Sequence, residues 1–183
     1  GSNTRAAQVL NDNLKGVWAS YAYYNLALSY DEVSRNKTKA LVSLRVAASL
    51  NDGKTKEELE VNNRINFAAG AMYLNGDKPD LASEFFKKVY LDSAIAPQAL
   101  YLNGIAKLEL NDFRAATQSW FSVKKYPLVD QSVAESLLAI PYAYERSGYI
   151  VFNGHTCCLV EGRPLQAKLS VKKDLFFANV GVS

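Results

Sequence analysis

The stretch that decides the fold is Ala99-Leu-Tyr-Leu-Asn-Gly-Ile-Ala-Lys-Leu-Glu-Leu-Asn-Asp-Phe-Arg-Ala-Ala116, followed by Trp120 and Val123. Its apolar residues recur at helical spacing up to Leu110, stop at Asn111-Asp112 and resume from Phe113. Asn and Asp favour turns because their short side chains compete with the helix for backbone hydrogen bonds. The stretch therefore predicts two helices joined by a tight turn, over 97–110 and 113–125, with Tyr126-Pro127 closing the second. Gly104 lies in the middle of the first helix, where glycine costs about 1 kcal/mol relative to alanine. That cost is tolerated where another helix must come close.

The pattern repeats. Gly70, Ala82, Phe86 and Val89 precede Gly104, Ala116, Trp120 and Val123 by a constant 34 residues. The upstream unit has the same plan: an apolar helix over 61–74, a break at Asn75-Gly76-Asp77, and Pro79 opening a second helix over 79–91. Ala82 and Ala116 are expected to be small for close approach, and Phe86 and Trp120, one turn on, to fill the space between adjacent units. An earlier copy lies 42 residues upstream, where Ala27, Ala40, Leu44 and Ala47 map onto Ala69, Ala82, Phe86 and Val89. Its extra residues fall mainly between Asn51 and Glu60, where Thr55-x-x-Glu58 predicts a capping box for a helix over 56–74. A partial fourth copy covers 131–147, apolar through Val133, Leu137, Leu138, Ile140 and Tyr144, and no second helix follows it.

These matches resemble the tetratricopeptide repeat family over roughly residues 21–149, with the quoted stretch as the best copy. Lys107 departs from the pattern where a large aromatic is usual, although Tyr30 and Tyr73 keep one, and the first inter-repeat linker is long. The resemblance implies an all-α fold: a right-handed α-solenoid of antiparallel helix pairs. In such a stack the first helices line the concave side. Gln98, Tyr101 and Ile105 share one face of the third unit, Arg64 and Phe67 stand at the matching places of the second, and Tyr21 and Tyr24 at those of the first. That groove suits an amphipathic helix or an extended apolar peptide. The same aromatics read equally as inter-helix core, and both readings stay open. Some family members grip a C-terminal carboxylate with clustered Lys, Arg and Asn; here Arg64 stands nearly alone, so that role is not carried over.

The chain of 183 residues, 49% hydrophobic and 21% charged, is long and apolar enough to bury a core. A net charge of +3, from 21 basic and 18 acidic residues, is too evenly mixed to point to nucleic acid or acidic lipid. No apolar run approaches the roughly 18 residues needed to cross a bilayer. The adjacent Cys157 and Cys158 and the single His155 do not build a disulfide scaffold or a multi-His centre. His155 and Cys157 lack the further ligands a metal needs and the orienting group a nucleophile needs. Glu57-Glu58 suits a helix first turn, where negative charge is favoured. There is no phosphate loop, serine elbow or His-Glu metal motif. No catalysis, metal or cofactor is expected.

Residues 1–20 read as a helical lead-in, 21–149 as repeats and 150–183 as a non-repeat tail of short β-favouring runs, irregular or folded as a β-hairpin. The tail either caps the open end of the array or is not a native continuation of it. In both cases it is expected to cover the apolar face of the helix over 131–147. Gly1-Ser2 without a Met reads as a trimmed start, which leaves the compartment open. The expected function is a protein-interaction module taking a peptide or partner protein in the concave groove. The alternative is a structural scaffold in a larger, possibly cell-envelope, complex, with a homodimer formed through the fourth helix.

Overall fold

The computed structural model describes residues 5, 8, 16–32, 35–147, 149–152 and 155–159. Seven α-helices have described bounds: α1 (Gly16–Glu32), α2 (Lys37–Ser49), α3 (Lys56–Leu74), α4 (Pro79–Phe86), α5 (Ala96–Glu109), α6 (Phe113–Phe121) and α7 (Gln131–Arg146). The fold is all-α. After α7 the short segments Tyr149–Phe152 (β1) and His155–Leu159 (β2) pair antiparallel, with Ile150 opposite Cys157 and Phe152 opposite His155. The tail beyond residue 159 lies outside the described residues, as does the lead-in between residues 8 and 16. The side chains of His155, Cys157 and Cys158 lie outside them too.

Side chains set where the helices start. Asn36 Oδ1 accepts from Lys39 N at 3.1 Å at the head of α2, and Asp112 Oδ1 accepts from Ala115 N at 3.0 Å at the head of α6. Pro79 opens α4. The expected capping box is present: Thr55 Oγ1 accepts from Glu58 N at 3.2 Å, and Glu58 Oε2 accepts from Thr55 N at 3.0 Å. Each pair satisfies amide groups that have no partner within the helix.

The turns inside the three helix pairs share a left-handed residue two places before the second helix. Arg35, Asp77 and Asn111 take left-handed backbone, with φ of 45°, 54° and 58°. The next amide closes each turn: Asn36 N donates to Tyr30 O, Lys78 N to Tyr73 O and Asp112 N to Lys107 O. The first closure spans one residue more than the other two, so the first turn carries an insertion. This corrects the register of the earliest copy. Its first helix is offset by one more residue than its second, and Ala27 corresponds to Gly70 rather than to Ala69.

The glycines are explained by what faces them. A Cβ on Gly70 would lie 2.7 Å from Phe86 Cε1, and one on Gly104 would lie 2.1 Å from Trp120 Nε1. Phe86 and Trp120 therefore fill space within their own helix pair, where the expectation put them between adjacent units. The Trp120 indole N–H also donates to Tyr101 O at 3.1 Å. With Ala27 in the glycine register, the first pair sets a larger small residue against a smaller large one, Leu44. Ala40, Ala82 and Ala116, on the second helices, have no exposed surface.

Consecutive helices pack as neighbours, and the second helix of each later pair also packs on the next first helix, α4 on α5 and α6 on α7. The second helices are shorter than expected. α4 stops at Phe86, where Lys88 N and Val89 N bond three residues back, and α6 passes into a 3-10 turn over Ser122–Lys125. The tightened turns leave Val89 and Val123 buried. α3 joins the two halves of the core. Ile65, Ala68 and Met72 pack with α1 and α2, while Phe67, Ala71 and Leu74 pack with the later helices. On α7, Val133 and Ile140 are buried, Leu137 and Tyr144 half-buried and Leu138 73% exposed, and the tail expected to cover this face lies mostly outside the described residues.

Candidate functional site: the first-helix face

The first-helix residues divide into two layers. Tyr24 on α1, Phe67 on α3, and Tyr101 and Ile105 on α5 are buried, none more than 5% exposed. They are wedged between helices and support the face from below. Their burial fits the inter-helix core reading left open above: rings of this size gain most where neighbouring helices cover them. Tyr21, Arg64 and Gln98 are half-buried and present surface.

Two tyrosines sit in contrasting electrostatic settings. The Tyr101 hydroxyl is hydrogen-bonded to Glu135 on α7. Burial pushes the Tyr101 phenol well above its ordinary value, and the Glu135 charge and hydrogen bond act in the same direction. Burial also raises the Tyr24 phenol, while the positive charge of Arg64 works against it. Tyr24 is 3% exposed, and its buried hydroxyl has no hydrogen-bond partner.

Arg64 belongs to a short polar chain. Its Nε lies 3.4 Å from Glu60 Oε1, close enough for an ion pair but without the alignment of a hydrogen bond. Glu60 Oε2 in turn accepts from Ser93 Oγ at 3.1 Å. Among the described residues, Tyr24 Oη and Arg64 Nε are the two buried side-chain polar atoms with no hydrogen-bond partner. Sequence reading missed Glu135 and Glu60. Both sit on helical faces where a charge ordinarily reads as solvated, and only their contacts single them out.

A second polar tie crosses the units. Ser83 Oγ donates to Asn103 Oδ1 at 2.8 Å, Asn103 Nδ2 donates to Ser119 Oγ at 2.9 Å, and Ser119 Oγ donates to Leu100 O at 3.0 Å. It fixes α4, α5 and α6 to one another. Among the described residues no group of three or more His, Cys, Asp or Glu is placed to hold a metal, and no helix is long and apolar enough to cross a membrane. In comparisons with known proteins, no family model, no curated protein and no solved structure matches the chain.

Proposed function

We propose that the chain is a tetratricopeptide-like α-solenoid, stacked in the right-handed sense, that binds a peptide or partner protein on its first-helix face and works by binding rather than by catalysis. The observation that carries this reading is the layered face: Tyr21, Arg64 and Gln98, one from each of three successive first helices, stand half-exposed above buried aromatics. The recurring left-handed turns and the small residues set against large ones support a serial stack. In this reading the short β1–β2 ladder caps the array after α7. Proteins captured from the native source by the wild-type chain and by Tyr21→Ala, Arg64→Ala and Gln98→Ala provide the test. Shared loss of the same partners from variants that keep their helical content is expected; identical partner sets would contradict it.

A second reading is favoured by Leu138, whose exposure leaves an apolar position open on the last helix. Here the array is a scaffold that self-associates through α7. Light scattering decides: a concentration-dependent dimer abolished by Leu138→Asp supports it, and a strict monomer removes it.

A further inference from the structure

We propose that the two later junctions between helix pairs, over residues 87–92 and 124–130, form an edge that docks on an anionic lipid surface. The lysines of this edge meet the headgroups and the tips of its turns enter the interface. The edge is a different part of the molecule from the first-helix face and stands or falls apart from it.

The observation is what sits at the turns. Between α4 and α5, Ser93 N donates to Tyr90 O at 3.0 Å, and Tyr90 and Leu91 in this turn are exposed. Between α6 and α7, Asp130 N donates to Pro127 O at 3.2 Å, which puts Leu128 and Val129 at the two corners, 70% and 95% exposed. Turn corners ordinarily carry Gly, Asn, Asp or Ser, whose backbone or side chain suits the turn. The first junction of this chain is built that way: it runs Asn51-Asp52-Gly53, with Asn51 Oδ1 accepting from Gly53 N at 2.9 Å. Turn geometry therefore does not account for the apolar residues of the later junctions. Folding does not account for them either, since side chains left this exposed gain little from burial.

The two turns adjoin. The Tyr126 hydroxyl, just before the second turn, donates to Leu91 O in the first. Apolar side chains exposed singly are ordinary, whereas a group of them marks an interaction site.

Charge decides the occupant. Each turn is preceded by a pair of exposed lysines, Lys87-Lys88 and Lys124-Lys125. Among the described residues none of the four enters an ion pair. Instead Lys88 Nζ stands 4.6 Å from the centre of the Phe85 ring, Lys124 Nζ 4.5 Å from that of Phe121 and Lys125 Nζ 5.1 Å from that of Tyr126. The rings hold the ammonium groups beside the turns without neutralising them. Against these four lysines the two segments carry two acids, Asp92 and Asp130, and Asp130 already accepts from Ser132 N at 2.8 Å at the head of α7. The edge is thus locally positive, which the whole-chain balance of 21 basic and 18 acidic residues hides. Unpaired cations around apolar tips match anionic headgroups above hydrocarbon, with tyrosine at the boundary. A protein partner is the poorer match, because lysine is depleted where proteins meet.

The test floats the purified full chain with vesicles of phosphatidylcholine, with and without phosphatidylglycerol. Binding to the mixed vesicles that weakens in high salt, and little binding to the neutral ones, is expected. Leu128→Ser with Val129→Ser should weaken it at least about tenfold, through lost apolar insertion. Lys124→Gln with Lys125→Gln should weaken it about thirtyfold, through two lost cations near the surface. Both variants should keep their helical content, since serine suits a turn corner and the lysines are exposed. Leu138→Ser, which removes an equally exposed leucine two helical turns along α7, should leave binding unchanged. No binding to the mixed vesicles overturns the proposal, even if the turns retain a protein from a lysate. So does binding unaltered in both turn variants, or a loss in Leu138→Ser as large as theirs.

Discussion

The indole of Trp120 occupies the space that a side chain at Gly104 would need, with Trp120 Nε1 only 2.1 Å from the place of a Cβ. Alanine in a helix interior ordinarily gains about 1 kcal/mol over glycine. Here the added methyl must displace a fully buried ring that is itself hydrogen-bonded to Tyr101. Gly104→Ala is therefore expected to lower stability by roughly 1–3 kcal/mol, the range for overpacked cores. Gly70→Ala should cost less, because its nearest atom, on the ring of Phe86, is 2.7 Å away. Urea denaturation of the two variants checks both the sign and the order.

Alkaline pH should unfold the chain through its buried phenols. The folded-state pKa of Tyr101 lies above the ordinary value of 10.0, first because of burial and then because of Glu135. A raised folded pKa gives stability that is complete below the unfolded value and is lost as pH rises through the folded one. Thermal midpoints should therefore hold to about pH 9 and fall above about pH 10. Tyr101→Phe should flatten that fall, at the expense of the bond to Glu135 at neutral pH. An unchanged alkaline slope would contradict the assignment.

Much of this architecture is legible in the residues. Gly70 and Gly104 announce close helix contact because nothing else justifies glycine in mid-helix, and Thr55 with Glu58 announces a helix start because its hydrogen bonds are local. The inserted residue of the first turn is not legible, since Ala27 and its neighbours keep a helical apolar pattern in either register. The burial of Tyr24, Phe67, Tyr101 and Ile105 was open for a related reason. Periodicity places an aromatic on a face but does not say whether the next helix covers it. The contrast of Tyr24 with Tyr101 depends on Arg64 and Glu135, which stand 40 and 34 residues further along the chain, and no local signal links them.

The capping box gives a local test. Thr55→Ala removes the acceptor for Glu58 N and should lower stability by about 1 kcal/mol, while Thr55→Ser should be close to neutral. Thermal denaturation of the pair measures the difference, and equal effects would show that the cap contributes nothing.

The first turn should gain from glycine. Arg35 takes φ of 45°, a conformation that a side chain with a Cβ disfavours. Arg35→Gly should relieve about 1 kcal/mol of that strain, less the extra freedom glycine gives the unfolded chain, for a small net rise in midpoint. Asn111→Gly, at φ of 58°, should change less, since Asn tolerates this region. A fall in stability for Arg35→Gly would contradict the turn geometry.

The central claim is that each helix pair nests through one small and one large residue whose sizes offset each other. A double-mutant cycle of Gly104→Ala and Trp120→Leu, followed by urea unfolding, tests it most directly, because the double variant recreates the Ala27 and Leu44 combination of the first pair. The two changes should be coupled by at least about 1 kcal/mol, with the alanine far better tolerated beside leucine than beside tryptophan. Additive losses would mean that residues 104 and 120 do not share one space.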